Sequence, residues 1–68
     1  REIWVNPKNL PRFINLNDMI TVYDNDDDVY ATLKVHYSGI FESGGLEGAE
    51  WFIATNIDTG EIVRIVIE

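Results

Sequence analysis

The C-terminal stretch, residues 50–68, constrains this chain more than any other part, because two apolar, β-prone runs there flank an Asp-Thr-Gly turn at residues 58–60. This pattern is typical of a β-hairpin closed by a short turn, since Gly60 can take the positive φ that such turns require. It predicts strands over residues 50–56 and 61–67. No segment shows a convincing helical period, so the chain is expected to be all-β.

Three earlier segments also have the character of strands. Residues 1–5 predict a short first strand, and residues 19–24 alternate between two faces. Residues 29–37 alternate strictly, which is typical of a half-buried strand in an antiparallel sheet. The face expected in the core carries Val29, Ala31, Leu33, Val35 and Tyr37. The face expected in solvent carries Tyr30, Thr32, Lys34 and His36.

The connections between these strands have the composition of turns and loops. Two prolines interrupt residues 6–18, where Phe13, Ile14 and Leu16 are expected to return toward the core. Residues 16–18 and the acidic segment at residues 25–28 predict turns. Residues 38–49 contain four glycines and predict a long loop.

Size limits the architecture to one domain, residues 1–68, with a modest core. The chain has no cysteine, so no disulfide or thiolate metal site can reinforce it. Five strands in so few residues cannot form a two-layer sandwich of ordinary size. We therefore expect a single small five-stranded antiparallel barrel or a strongly bent meander, which hides its strand edges around one core.

Parts of the chain resemble Src-homology-three (SH3) domains. The turn and strand at residues 16–22, the Glu-Trp-Phe-Ile-Ala run at residues 50–54 and the Asp-Thr-Gly-Glu turn at residues 58–61 are similar to segments of that family. The family's Ala-Leu-Tyr-Asp-Tyr and Pro-x-Asn-Tyr segments, which supply much of its groove for proline-rich peptides, have no counterpart here. The resemblance therefore implies an SH3-like barrel and does not imply binding of proline motifs.

Charge narrows the classes of partner. Twelve acidic and five basic residues give a net charge of −7, and the stretch from Asp18 to Glu61 holds ten acids and a single base, Lys34. Binding to nucleic acid or to an anionic membrane needs clustered Lys and Arg, so both are disfavoured. No apolar run approaches the length of a membrane span, and we expect a cytoplasmic protein. A basic protein partner fits this charge, although acids can also serve only to solvate a small domain.

Residue patterns that carry chemistry are weak. Asp24, Asp26 and Asp28 have the alternate spacing of a calcium loop, but the glycine and the closing glutamate of that loop are missing. His36 is the only histidine, and nothing in the sequence points to a partner that would orient it as a base. We therefore expect no enzyme activity, no bound metal and no cofactor.

Aromatic residues give the best sequence indication of a binding surface. Trp51 and Phe52 are adjacent in a strand, so they point to opposite faces and cannot both enter one core; the sequence leaves open which faces inward. Phe41 lies in the glycine-rich loop, either as a contact residue or folded back on the barrel. The expected anchors of a contact are Trp51 or Phe52, Tyr30 and Phe41. The expected acidic rim consists of Asp24, Asp26, Asp27, Asp28, Glu42, Glu47 and Glu50.

These features predict a non-catalytic protein-binding module with an acidic surface that recognises a basic protein partner. One alternative is a small phage-type protein that mimics nucleic acid and inhibits a DNA-binding enzyme. Another is a structural domain of a larger protein. A double row of carboxylates spaced like phosphates would favour mimicry, whereas an aromatic patch with scattered acids would favour ordinary recognition. The sequence does not indicate an oligomeric state.

Overall fold

The structure is a computed structural model that describes residues 1–67. Its elements are β1 (Glu2–Val5), a 3-10 helix (Pro7–Asn9), β2 (Met19–Asp24), β3 (Val29–Ile40), β4 (Glu50–Asn56) and β5 (Ile62–Ile67). The predicted bounds of β2 and β4 are confirmed, and β3 extends three residues further than predicted. Within the described residues, no helix has the length and apolarity needed to cross a membrane.

The five strands form one strongly curled, half-open sheet with the order β1-β5-β4-β3-β2. Strands β2 to β5 are an antiparallel meander, which confirms the all-β class and the bent meander. Strand β1 instead pairs with β5 in parallel, so the expectation of an entirely antiparallel sheet is wrong for this strand. Short connections impose antiparallel pairing on the meander, whereas no turn joins β1 to β5.

The concave face of the sheet holds the core. Alternation along each strand brings apolar side chains from all five strands to this face. The buried cluster consists of Ile3, Val5, Ile20, Val22, Ala31, Leu33, Val35, Phe52, Ala54, Val63 and Ile65. The core prediction for β3 is thus confirmed at Ala31, Leu33 and Val35. It is wrong at Val29, which is exposed at the strand end beside the acidic turn.

A β-bulge at His36 changes which residues of β3 face outward. Val35 pairs with Ala54, but the next residue of β3 to be paired is Tyr37, opposite Ile53, so His36 is the extra residue. Alternation is therefore inverted beyond the bulge, and Tyr37 and Gly39 join the convex face. The prediction that Tyr37 faces the core is wrong for this reason.

Only some of the apolar residues in the connection between β1 and β2 pack against the core. Leu10 and Ile14 pack against the core cluster. Phe13 is 76% exposed and Leu16 is also exposed, so the expected return of these two residues to the core is wrong. The predicted turn before β2 is confirmed, with Asn17 at φ 72°.

The hairpin between β4 and β5 closes as the sequence predicts. Gly60 has φ 78°, and its N–H donates to the Asn56 carbonyl over 2.8 Å. The Asn56 side-chain oxygen accepts from the N–H groups of Asp58 and Thr59, at 2.9 and 3.2 Å. The Asn56 side chain and the left-handed glycine together hold the turn.

Substituting Gly60→Val should destabilise the protein by about 1 kcal/mol or more, because a β-branched residue is strained at positive φ. A Cβ at this position would meet no atom within 4 Å, so the cost is a backbone cost. Gly45 lies in equally open space without positive φ, and Gly45→Val is the matched control. Urea or thermal unfolding measures both variants, and equal midpoints would contradict the assigned role of Gly60.

Candidate functional site

The structure decides between the two adjacent aromatic residues of β4. Phe52 is only 5% exposed and belongs to the core, whereas Trp51 is half-buried on the convex face. Phe52 is therefore unavailable as a contact anchor, and its inclusion among the expected anchors is corrected. Its register partner Ile65 faces the same core.

Trp51 belongs to a row of side chains that crosses the convex face. Trp4 and Trp51 are the two register neighbours of Val66, one on each side. Val66 is fully buried although it lies on the convex face, because the flanking indoles cover it. A Cβ on Gly39 would come within 2.3 Å of the Trp51 ring, so the glycine makes room for the indole.

Four side chains on this face contact one another, and we call them the Trp51 cluster: Tyr37, Phe41, Trp51 and Arg64. The Tyr37 and Trp51 rings meet edge-to-face with centroids 6.2 Å apart. The Arg64 guanidinium lies 5.5 Å from the Trp51 ring centroid and 5.8 Å from that of Phe41. Phe41 is half-buried and folds back onto this cluster, so the question left open by the sequence is answered in favour of packing.

A second aromatic surface lies between β1 and β2, the two edge strands of the sheet. It is an open groove of about 480 Å³. We call it the aromatic groove; it is lined by Trp4, Val5, Asn6, Asn9, Thr21, Tyr23, Asn25 and Tyr30. Three aromatic rings and three side-chain amides therefore line one groove.

The rings of the aromatic groove are held in place by neighbours. Tyr23 and Tyr30 pack edge-to-face with centroids 5.2 Å apart. The Tyr23 hydroxyl donates a hydrogen bond to the Asp28 carboxylate, which lies in the adjoining acidic turn. Tyr30 is 74% exposed, which makes it the most accessible ring of the groove.

Carboxylates gather around one guanidinium beside the aromatic groove. Arg1 donates to both Asp24 oxygens, at 3.1 and 2.5 Å, and to both Glu61 oxygens, at 3.1 and 2.9 Å. Its nitrogens also lie 3.7 Å from an oxygen of Asp26 and 3.5 Å from one of Asp27. One cation thus faces four carboxylates, and we call this group the acidic end.

Asp24 has a structural role within the acidic end. Asp24 is the last residue of β2, faces the concave side of the sheet and is only 2% exposed. Its carboxylate also accepts a hydrogen bond from the Asp26 N–H over 3.1 Å. The hydrogen bonds from Arg1 hold the pKa of Asp24 below its ordinary value, against the opposing effect of burial. The expectation that Asp24 forms part of an exposed acidic rim is therefore wrong.

The remaining residues of the expected rim do not form one surface. Asp26, Asp27 and Asp28 lie in the turn between β2 and β3, whereas Glu42, Glu47 and Glu50 lie at or near the opposite end of the meander. All six are exposed. Only the first three adjoin the aromatic groove, so the structure separates the rim into two acidic groups.

His36, the single histidine of the chain, lies on the convex face beside Thr55 of the neighbouring strand. His36 Nε2 lies 2.5 Å from Thr55 Oγ1, which makes it a cross-strand partner on the surface. Within residues 1–67, no group of three or more histidine or carboxylate side chains is arranged to hold a metal ion.

Comparisons of this chain with protein-family models, with curated proteins and with solved structures find no match. Among the aromatic residues of the groove, Trp4 and Tyr23 are the two that the sequence interpretation missed. Alternation in the edge strands could have placed both on the convex face, opposite Ile3 and Val22. That pattern could not show that β1 and β2 would meet, because strand pairing is set by the tertiary fold.

We expect Asp24→Asn to lower the free energy of unfolding by about 2 kcal/mol at pH 7, since it weakens a buried charge-assisted pair. Because folding lowers the pKa of Asp24, its contribution is present above about pH 4 and is lost as the pH falls through the folded-state pKa. The difference between wild type and variant should therefore narrow in acid. Urea unfolding from pH 3 to 7, with the exposed Asp58→Asn as control, measures this; a difference independent of pH would contradict it.

Substituting Gly39→Ala should destabilise the protein by about 1–3 kcal/mol, because the new methyl group displaces the Trp51 indole from Val66. The near-ultraviolet circular dichroism of the tryptophans should change as well. Gly45→Ala, where a Cβ meets open space, is the control. An unchanged spectrum and midpoint for Gly39→Ala would refute the assigned packing of Trp51.

Proposed function

We propose that this chain is a non-catalytic protein-binding module that recognises a basic segment of a protein partner. The observation that carries the proposal is the position of the aromatic groove directly beside the acidic end. Exposed aromatic rings with a charged surround have the composition of interface anchors. The expected anchor Tyr30 lines the groove, and the rim residues Asp26, Asp27 and Asp28 lie in the turn beside it.

Charge supports a basic partner over a neutral one. The acidic end has four carboxylates around Arg1, so three negative charges remain without a counter-charge among residues 1–67. Such a surface raises the association rate of a positively charged partner and opposes acidic ones. Asp26 and Asp27 are exposed and free to meet a second cation.

The distribution of the acids supports ordinary recognition over mimicry of nucleic acid. The exposed carboxylates that adjoin the groove are separated from Glu42, Glu47 and Glu50 by the length of the meander. This arrangement differs from a continuous double row along one face. The open groove, in which Tyr30 is 74% exposed beside two further aromatic rings, supports a contact surface over a purely structural role.

We also infer a likeness to SH3 domains at the level of the barrel. The curled five-stranded sheet and the hairpin with Gly60 support it. The aromatic groove is nevertheless built from β1, β2 and β3 residues that differ from the family's peptide-binding segments. The proposal therefore does not include proline-motif recognition.

The test begins with peptides that are selected from a displayed library for binding to the wild-type protein. Surface plasmon resonance then follows the association of the selected peptides with the protein. Asp26→Asn combined with Asp27→Asn should slow association several-fold at low salt, and the effect should vanish near 0.5 M salt because the charges are then screened. Dissociation should change little. The control, Glu42→Gln with Glu47→Gln, removes equal charge from the other end and should have little effect.

Tyr30→Ala should instead speed dissociation by about tenfold, the effect of losing an interface anchor. Selection of peptides without an excess of Lys and Arg would contradict the proposed basic partner. An equal loss of association rate in both charge variants would contradict the location of the site.

A further inference from the structure

Arginine side chains occupy aromatic surfaces elsewhere in this protein. Arg64 lies over Trp51 and Phe41, and the Arg12 guanidinium lies 5.6 Å from the Phe13 ring centroid. Within residues 1–67, no lysine or arginine lies over the rings of Trp4, Tyr23 or Tyr30. The aromatic groove therefore has ring faces like those of the Trp51 cluster, without the cation that the Trp51 cluster contains.

The acidic end supplies the second half of such a site. A neighbouring cleft lined by Trp4, Asn25 and Asp26 connects the aromatic groove with the carboxylates. Arg1 is the only cation within 4 Å of these carboxylates among the described residues, and it already binds Asp24 and Glu61 through both oxygens of each. Asp26 and Asp27 thus retain accepting capacity for another guanidinium.

We propose that the aromatic groove binds an arginine side chain of an extended partner segment, with the guanidinium against Tyr30 and Trp4 and directed toward Asp26 and Asp27. This inference rests on the proposed function and specifies the ligand of the same site. The amides of Asn6, Asn9 and Asn25 line the groove and can donate to and accept from the backbone of an extended chain.

Arginine fits this surface better than lysine does. A guanidinium is planar, stacks on aromatic faces and donates to carboxylates in pairs, whereas an ammonium is a compact, strongly hydrated charge. The chain's own use of cations follows the same preference, since every cation–aromatic contact described above involves arginine. Within the acidic end, Arg1 already makes a bidentate contact of this kind with the Asp24 carboxylate.

The probe is a capped heptapeptide that alternates serine and arginine, titrated into ¹⁵N-labelled protein and followed by NMR. The Trp4 indole N–H and the amides of Thr21 and Asn25 should shift, while the Trp51 indole, shielded by Arg64, serves as the internal reference. The same peptide with citrulline in place of arginine is isosteric and uncharged, and it should bind about tenfold more weakly or worse. The lysine peptide should bind less tightly than the arginine peptide.

Variants locate the site. Tyr30→Ala should weaken the arginine peptide about fivefold, whereas Tyr30→Phe, which keeps the ring, should retain binding. Tyr37→Ala is the matched control, because Tyr37 is also an exposed tyrosine on the convex face of β3 but belongs to the Trp51 cluster. Folding of each variant is read from the dispersion of the same NMR spectra.

Equal binding of the citrulline peptide, or shifts confined to Trp51 and its neighbours, would overturn the arginine site. Concentration-dependent shifts of Trp4 without peptide would place a second copy of the chain in the groove and overturn it as well. Salt-dependent association with a selected basic partner, combined with an unresponsive Trp4, would refute this inference alone and leave the protein-binding function standing. The absence of salt-dependent association together with an unresponsive Trp4 indole would refute both the arginine site and the proposed protein-binding function.

Discussion

The ion pair between Arg1 and Asp24 links the two edges of a sheet that does not close. Strands β1 and β2 end the strand order on either side, and no backbone ladder joins them. Arg1 precedes β1 and Asp24 ends β2, so the pair holds these edges together at one end of the core. A buried carboxylate without this partner would carry a large desolvation cost. The core, the groove between the edges and the acidic end all depend on that contact.

The curled sheet is packed on both faces, with different consequences. Its concave face buries an aliphatic core around Leu33 and Ile65, as expected for a domain of this size. Its convex face carries aromatic residues that cover Val66 and make contacts among themselves. The bulge at His36 contributes to this second layer, because it turns Tyr37 and Gly39 outward beside Trp51. A small domain thereby gains apolar burial beyond its single core.

The two aromatic surfaces of the convex face differ in whether their charge is satisfied internally. In the Trp51 cluster, the Arg64 guanidinium lies over the Trp51 ring, and one of its nitrogens lies 3.5 Å from a carboxylate oxygen of Glu2. The rings and the charge of this surface are therefore already in contact with each other. The aromatic groove has exposed rings, side-chain amides and an excess of carboxylates at its end. This difference is the reason for assigning the proposed binding site to the aromatic groove and not to the Trp51 cluster.

The sequence by itself determined the local features: the strands, the acidic turn, the hairpin at Gly60 and the apolar face of β3 from Ala31 to Val35. These follow from alternation and turn chemistry, which act over a few residues. Tertiary structure alone decided the parallel pairing of β1, the bulge at His36, the inward position of Phe52 and the placement of Trp4 and Tyr23 in one groove. Each of these depends on contacts between segments distant in the chain. The sequence also could not predict that Asp24 pairs with Arg1, because the two residues come together only when the sheet is curled.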